Sequence, residues 1–130
     1  EVRDNEHIRF GALSLTSCSG KPSSVTLSLT VDGETVEADA TGNGPVDAAF
    51  NALRSAFPHD ARLALFSVGA VTEGTDAQAR TTVRLEEDGK LVDGQGADAD
   101  TVVSAVRAYV HALNKLLVKR DRAEPEELTA

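Results

Sequence analysis

The sequence repeats one pattern twice, and this repeat constrains the fold more than any other feature. Each half has segments typical of strands, an Asp-Gly pair, a returning strand-like segment and then an amphipathic segment with helical spacing. The pairs Asp32-Gly33 and Asp88-Gly89 are typical of tight hairpin turns. Repetition of one supersecondary unit indicates that both copies fold alike. Because a three-stranded sheet with one helix buries little apolar surface alone, the two units are expected to pack together.

The first half predicts three strands and a helix. Residues 8–19, 25–31 and 34–41 are expected to form strands, the second of them because apolar and polar residues alternate strictly. The helix begins at Pro45, where a missing N–H costs nothing, and ends before Pro58. Its apolar face has helical spacing and consists of Val46, Phe50, Leu53 and Phe57.

The second half predicts the same order. Residues 61–72, 79–86 and 90–93 are expected to be strands, and Gly94-Gln95-Gly96 is expected to be a loop before the helix. The helix is expected over about 100–119. Its apolar face consists of Val102, Val106, Tyr109, Leu113 and Leu116. An ungapped alignment of the two helices pairs Asp47 with Asp100.

The predicted fold class is therefore α+β, a tandem repeat of two strand-strand-strand-helix units that form antiparallel sheets packed with two helices. The units cover about residues 8–58 and 61–118. Together they make one domain over 1–120, and a polar C-terminal tail is expected over 121–130. A chain of 130 residues has the usual size of one domain.

Composition excludes several classes of partner and site. The 13 basic and 21 acidic residues give a net charge of −8, which disfavours binding to nucleic acid. No apolar run approaches the ~20 residues needed to span a membrane. The single cysteine, Cys18, rules out an internal disulfide and is expected in a strand. Since the sequence starts at Glu1 and has no methionine, we expect a fragment of a longer protein or a processed chain.

The sequence contains no convincing active site. His7, His59 and His111 are far apart, and none has a second histidine at ligand spacing, so no metal site is expected. Asp98 and Asp100 could act as an acid/base pair, but an aspartate before an apolar helix is more often an N-cap. No cofactor is expected in this chain.

The two Gly-x-Gly segments are candidate ligand loops. Gly42-Asn43-Gly44 and Gly94-Gln95-Gly96 both precede a predicted helix, whose first N–H groups can hold an anion such as a carboxylate. A purely structural turn explains each segment alone better than a ligand loop does. Their duplication at both helix starts makes the two interpretations equal, and both stay open.

Three segments, in order, resemble the C-terminal regulatory domain of the 2-isopropylmalate synthase family. They are residues 42–48 (GNGPVDA), 70–78 (AVTEGTDAQ) and 102–114 (VVSAVRAYVHALN), and the similarity runs from about residue 8 to residue 117. The family has a two-fold strand-strand-strand-helix arrangement, in agreement with the repeat. In the family, the full enzyme condenses acetyl-CoA with 2-oxoisovalerate in leucine biosynthesis. Its TIM-barrel domain, which carries the divalent metal and the catalytic residues, lies N-terminal to this region.

The resemblance implies a non-catalytic, cytoplasmic homodimer that binds L-leucine near the dimer interface and mediates feedback inhibition of the catalytic domain. The effector-binding residues that it implies are Asn43, Gly44, Val46, Asp47, Leu63, Phe66, Ala70, Asp76, Ala77 and Ala97. The helix-start N–H groups suit the leucine carboxylate, Asp47 or Asp76 or backbone carbonyls suit its ammonium, and Val46, Leu63 and Phe66 suit its side chain. The family often has a tyrosine in place of Phe66.

Two other functions are compatible with the sequence. The related regulatory domain of citramalate synthase senses isoleucine, and shape alone separates the two amino acids by only about 1–3 kcal/mol. A dimerisation module without a ligand response is the other alternative.

Overall fold

The computed structural model describes residues 6–73 and 76–129, with side chains for 6–70 and 77–119. It contains six strands and two helices in the described residues. They are β1 (Ile8–Thr16), β2 (Ser23–Val31), β3 (Glu34–Gly42), α1 (Pro45–Ala56), β4 (Arg62–Glu73), β5 (Asp76–Glu87), β6 (Lys90–Asp98) and α2 (Thr101–Thr129). The predicted order of two strand-strand-strand-helix units is confirmed. Cys18 lies beyond the end of β1, exposed, and not in a strand as expected.

The strands form two antiparallel three-stranded sheets, β1-β2-β3 and β4-β5-β6. The Asp-Gly pairs connect β2 to β3 and β5 to β6, and all four residues have positive φ, between 50° and 89°. Asn-Gly and Asp-Gly pairs favour hairpin turns because such turns need positive φ at both central residues. Both first strands contain a register shift, between Phe10 and Ala12 in β1 and between Leu63 and Leu65 in β4.

From the second strand onward, the two units correspond residue by residue when Asp32 is aligned with Asp88. This alignment places the buried residues of α1 on buried residues of α2, for example Phe50 on Val106 and Leu53 on Tyr109. Each helix packs on the second and third strands of its own unit, and the two helices contact each other. The rings of Phe50 and Tyr109 lie 4.8 Å apart, edge to face. The two units therefore share one continuous core.

The sequence prediction for Gly94-Gln95-Gly96 is wrong. These residues lie inside β6, which continues to Asp98, rather than in a loop before α2. A Cβ on Gly94 would meet the backbone of Ala108 and Ala112, and one on Gly96 would lie 2.5 Å from the Ser104 carbonyl oxygen. The glycines are needed because α2 packs directly against this strand. Consequently Gly42-Asn43-Gly44 has no counterpart in the second unit.

The predicted helix alignment and the predicted helix end also need correction. Gly44 and Asp100 are the equivalent N-cap residues, so Asp47 corresponds to Val103 rather than to Asp100. Asp100 is confirmed as an N-cap, since its Oδ1 accepts the N–H groups of Val102 and Val103 at 2.8 and 3.1 Å. Helix α2, expected to end at about residue 119, continues as far as Thr129 and so includes most of the polar segment 121–130. Residues 121–130 include three glutamates and two alanines, which propagate a helix well, and one proline, Pro125, which does not.

Two polar contacts connect parts of the chain that are distant in sequence. The side-chain amide of Asn114 on α2 accepts the N–H of Ile8 at 2.9 Å and donates to its carbonyl at 2.8 Å, which fixes the start of β1. Tyr109 and His59 share a hydrogen bond of 3.1 Å between Oη and Nε2. Because Nδ1 of His59 accepts the Ala61 N–H at 3.1 Å, the segment between the units is fixed against α2. Burial raises the pKa of Tyr109.

At one buried contact between a helix and a strand, both residues are polar in the second unit and both are apolar in the first. Thr81 on β5 and Ser104 on α2 are fully buried, and their hydroxyl oxygens lie 2.6 Å apart. The equivalent residues of the first unit are Val25 and Ala48, also buried. Ser104 donates to the Thr101 carbonyl at 2.9 Å, so Thr81 is the donor to Ser104. The same positions are therefore filled by two apolar side chains in the first unit and by two hydrogen-bonded hydroxyl groups in the second.

We expect Ser104→Ala to lower the free energy of unfolding by about 1–3 kcal/mol, because it leaves the Thr81 hydroxyl buried without an acceptor. The double variant Thr81→Val/Ser104→Ala recreates the Val25–Ala48 pair and should recover most of this loss. Urea unfolding of the three proteins measures the difference. A double variant that loses the sum of both single effects would contradict the pairing.

Candidate functional site

The junction between β3 and α1 holds the first group of predicted site residues. The Asp47 Oδ2 atom accepts the Asn43 N–H at 2.9 Å, so the carboxylate reaches back over the loop that leads into the helix. A Cβ on Gly42 would lie 2.6 Å from the same oxygen and 2.8 Å from Ala48 Cα. The helix therefore starts directly against the end of β3, and only glycine allows this approach.

The first turn of α1 presents backbone donors. Gly44 is the N-cap, and no side chain caps this helix start. Pro45 has no N–H, and the Ala48 N–H already donates to the Gly44 carbonyl at 2.9 Å. The N–H groups of Val46 and Asp47 are the remaining donors of the first turn, and a helix start favours an anion. Asn43 and Asp47 are exposed, and Val46 packs partly on the core.

The second group lies on the sheet of the second unit. Leu63, Phe66 and Ala70 on β4 pair with Leu85, Val83 and Ala79 of β5. Since Val83 and Leu85 are buried under α2 and side chains alternate between faces, all three β4 residues point to the helix-covered side of the sheet. Ala77 of β5 shares this side by the same alternation, whereas the side chain of Asp76 lies outside the described residues.

Ala97 is separated from the other predicted residues. It lies in β6 and pairs with Arg80, so it points to the opposite side of the sheet from Gly94 and Gly96, which contact α2. The expectation that Ala97 belongs to a glycine loop is wrong, because β6 continues through this residue to Asp98.

Phe50 connects the two groups and was not predicted as a site residue. Its ring on α1 contacts the ring of Phe66 on β4, with centroids 5.7 Å apart and planes at 88°. Phe50 lies one helical turn after Val46, so Val46, Phe50 and Phe66 form a path from the helix start to the sheet. The spacing of Val46 and Phe50 was a usable signal, but it indicates a core position equally well.

Helix α2 covers only part of the side of the second sheet on which it packs. Helix α2 packs on β5 and β6, which leaves β4 at the uncovered edge. Phe66 and Val68 are 38% and 43% exposed, and Ala70 is exposed too. We call these three residues the β4 inner face. Leu15 of β1, the equivalent of Val68, is 37% exposed. Exposed apolar surface of this kind is typical of interaction sites.

The predicted site residues cannot all contact one small ligand within a single chain. Leu63 and Ala70 are the ends of a strand segment that extends over about 20 Å. Within the described residues, no three His, Cys, Asp or Glu side chains come together as a metal site. No described helix is long and apolar enough to cross a membrane. The arrangement offers anion recognition at a helix start and apolar surface on β4.

Comparison with known proteins identifies the domain. Residues 1–117 match the family of the LeuA allosteric (dimerisation) domain. The chain belongs to this family. It is 49% identical over 129 residues to a 2-isopropylmalate synthase of Caulobacter sp. (strain K31), and 50% identical over 121 residues to one of Bradyrhizobium sp. (strain BTAi1 / ATCC BAA-1182). These alignments cover 99% and 93% of the chain but 24% and 23% of the relatives, so the LeuA-type domain spans about a quarter of their length.

The match to a 2-isopropylmalate synthase of Thiobacillus denitrificans has the same extent, with 50% identity over 123 residues and 24% of the relative. The resemblance drawn from the three motifs is confirmed by these comparisons.

We expect different effects at the two glycines before α1. Gly42→Ala should lower the free energy of unfolding by about 1–3 kcal/mol, because the added methyl group meets the backbone of Ala48. Gly44→Asp should change it by less than about 0.5 kcal/mol, because Gly44 has an extended backbone with open space around it and aspartate is a favourable N-cap. Thermal unfolding of both variants tests this, and equal destabilisation would contradict the assigned geometry.

Proposed function

We propose that this domain is the leucine sensor of a 2-isopropylmalate synthase, which inhibits the condensation of acetyl-CoA with 2-oxoisovalerate in a separate TIM-barrel domain. The observation that carries the proposal is the path from the α1 start through Phe50 to the β4 inner face. It places backbone anion donors and an apolar surface in one continuous region. Membership in an allosteric and dimerisation family and the names of the relatives support it.

The proposed ligand contacts divide by chemistry. The N–H groups of Val46 and Asp47 receive the leucine carboxylate, and the second oxygen of Asp47, not used by Asn43, receives the ammonium. Val46, Leu63 and Phe66 surround the isobutyl group. Phe66 offers a ring without a hydroxyl, so its contribution is apolar. The divalent metal and the acid/base residues belong to the catalytic domain and not to this site.

The domain is proposed to act as a homodimer in which the second copy covers the β4 inner face. Helix α2 reaches only two of the three strands beneath it, so Phe66 and Val68 need cover from outside the chain. An effector bound beside this face touches both copies, and its binding then couples to their arrangement. The proposed location is the cytoplasm, where the condensation reaction supplies leucine synthesis.

We expect leucine to bind more tightly than isoleucine and valine, and alanine hardly at all. The polar contacts are common to all α-amino acids, so the ranking depends on the apolar slot. Alanine lacks three buried carbons at about 0.8 kcal/mol each, or about 2.4 kcal/mol and about fifty-fold in affinity. Isothermal titration calorimetry with the four amino acids measures the order.

The variant Gly44→Asp tests in the same titration whether the ligand carboxylate binds at the start of α1. Its carboxylate occupies the helix start and repels the ligand carboxylate, so binding should fall below detection while the domain stays folded. Tighter binding of isoleucine than of leucine would favour a citramalate synthase-type sensor. No binding of any of the four would favour a dimerisation module without a ligand response.

We expect the chain to be a dimer, with twice the mass of its 13.6 kDa. Val68→Asp places a carboxylate in the covered face and should raise the dimer dissociation constant more than about tenfold. Thr35→Asp, at an exposed position of β3, adds the same charge and should leave the dimer unchanged. Light scattering over a wide concentration range measures both. A monomeric parent chain, or equal effects of the two variants, would contradict the proposed interface.

A further inference from the structure

A groove of about 940 Å³ lies between the start of β1, the start of β6 and the second half of α2. It contains none of the residues assigned to the effector site. Its volume is in the range of small-molecule sites. The two units meet here, since β1 belongs to the first and β6 and α2 to the second.

The charge of the groove is opposite to that of the chain. The chain carries −8, but the groove is lined by four cations, Arg9, Arg107, Lys115 and Lys119, against two carboxylates. Three of these cations, Arg107, Lys115 and Lys119, lie on one face of α2, and together with His111 they form a row spaced by four residues. Lys115 and Lys119 are like charges four residues apart, a spacing that destabilises a helix by about 0.2–0.5 kcal/mol. Helix stability therefore does not explain this pair.

Nearby carboxylates compensate the positive charge of the groove only in part. Glu6 lies 3.6 Å from Arg9. Asp93 accepts two hydrogen bonds from Arg84, at 2.7 and 3.1 Å. This contact holds the pKa of Asp93 below its ordinary value, and the charge of Lys115 lowers it by a smaller amount. Among the described residues, no carboxylate forms an ion pair with Lys115 or Lys119.

Several of the donors are held in place. The Arg107 guanidinium lies 4.9 Å from the centre of the Phe10 ring and 3.8 Å from Asp98. The Lys119 ammonium donates to the Leu91 carbonyl at 3.3 Å. His111 accepts the Gln95 N–H on Nδ1 at 2.9 Å, which places the proton of the neutral ring on Nε2 as a further donor.

Apolar residues form the rest of the groove. Val110 and Val92 are buried at its floor, Val118 is half-buried, and Leu91 is 53% exposed beside the lysines. A bare anion would leave this apolar surface in water. A neutral apolar molecule would leave the excess positive charge of the groove uncompensated.

We propose that this groove is a second binding site, separate from the effector site, for a small anionic amphiphile: an aliphatic carboxylate or phosphate monoester. The anionic head lies among Arg107, Lys115 and Lys119, and the aliphatic tail covers Leu91 and Val118. The site joins both units, so its occupation stabilises their contact.

Two-dimensional ¹⁵N–¹H NMR of the chain at constant ionic strength tests this with hexanoate and hexyl phosphate. We expect saturable shifts at the amides of Leu91, Arg107, His111 and Lys115. Saturation by one probe and not the other identifies the head group, and either supports the site. Acetate, inorganic phosphate and hexanamide, which lack the tail or the charge, should bind at least about tenfold more weakly.

Lys115→Gln should weaken binding of the better probe about two- to fivefold, as expected for one exposed charge. Lys21→Gln, in the exposed turn after β1, removes the same charge elsewhere and should have no effect. The proposal is overturned if no probe gives saturable shifts, if hexanamide binds as well as hexanoate, if the shifts fall on the β4 inner face instead, or if both lysine variants behave alike.

Discussion

The structure depends on how much of each sheet a helix can cover. A helix has a diameter of about 10 Å, and strands are about 4.8 Å apart, so one helix covers about two strands. Helix α1 lies on β2 and β3 and α2 on β5 and β6, and the first strand of each unit is left at the edge. In the first unit α2 also contacts β1, whereas β4 keeps its inner face partly open. The two repeat units therefore differ in how far their first strand is covered. The proposed dimer interface lies on β4, the strand whose inner face stays partly open.

The fold also requires each helix to approach the third strand of its unit closely, and this requirement determines where glycine and small residues occur. Gly94 and Gly96 allow α2 to lie on β6, and Gly42 allows α1 to start against β3. The Thr81–Ser104 hydrogen bond fills the same place that Val25 and Ala48 fill in the first unit. One backbone arrangement is thus stabilised by two different chemistries, because a buried hydroxyl is tolerated when its partner is present.

The two surfaces proposed for ligands use different parts of the fold. The effector region combines a helix start of the first unit with an edge strand of the second. The basic groove lies where β1 meets α2, close to the Asn114 contact with Ile8. Both cross the boundary between the units. A ligand at either place therefore acts on the relative position of the two units, which is held by Phe50, Tyr109 and His59.

The sequence by itself determined the repeat, the fold class, both hairpin turns and the N-cap at Asp100, because these follow from periodicity and from residues a few positions apart. It also supported the family assignment through three motifs. It misplaced Gly94-Gln95-Gly96 and Ala97, because a glycine required by a helix packed on a strand resembles a glycine required by a loop.

Only the tertiary structure decided which apolar residues stay uncovered and which side of the sheet each site residue faces. Val68 and Val83 are both valines in predicted strands, yet Val68 is 43% exposed and Val83 is buried, because α2 reaches only Val83. The basic groove was hidden for the same reason: Arg9 and Arg107 are far apart in sequence, and their proximity depends on β1 packing against α2.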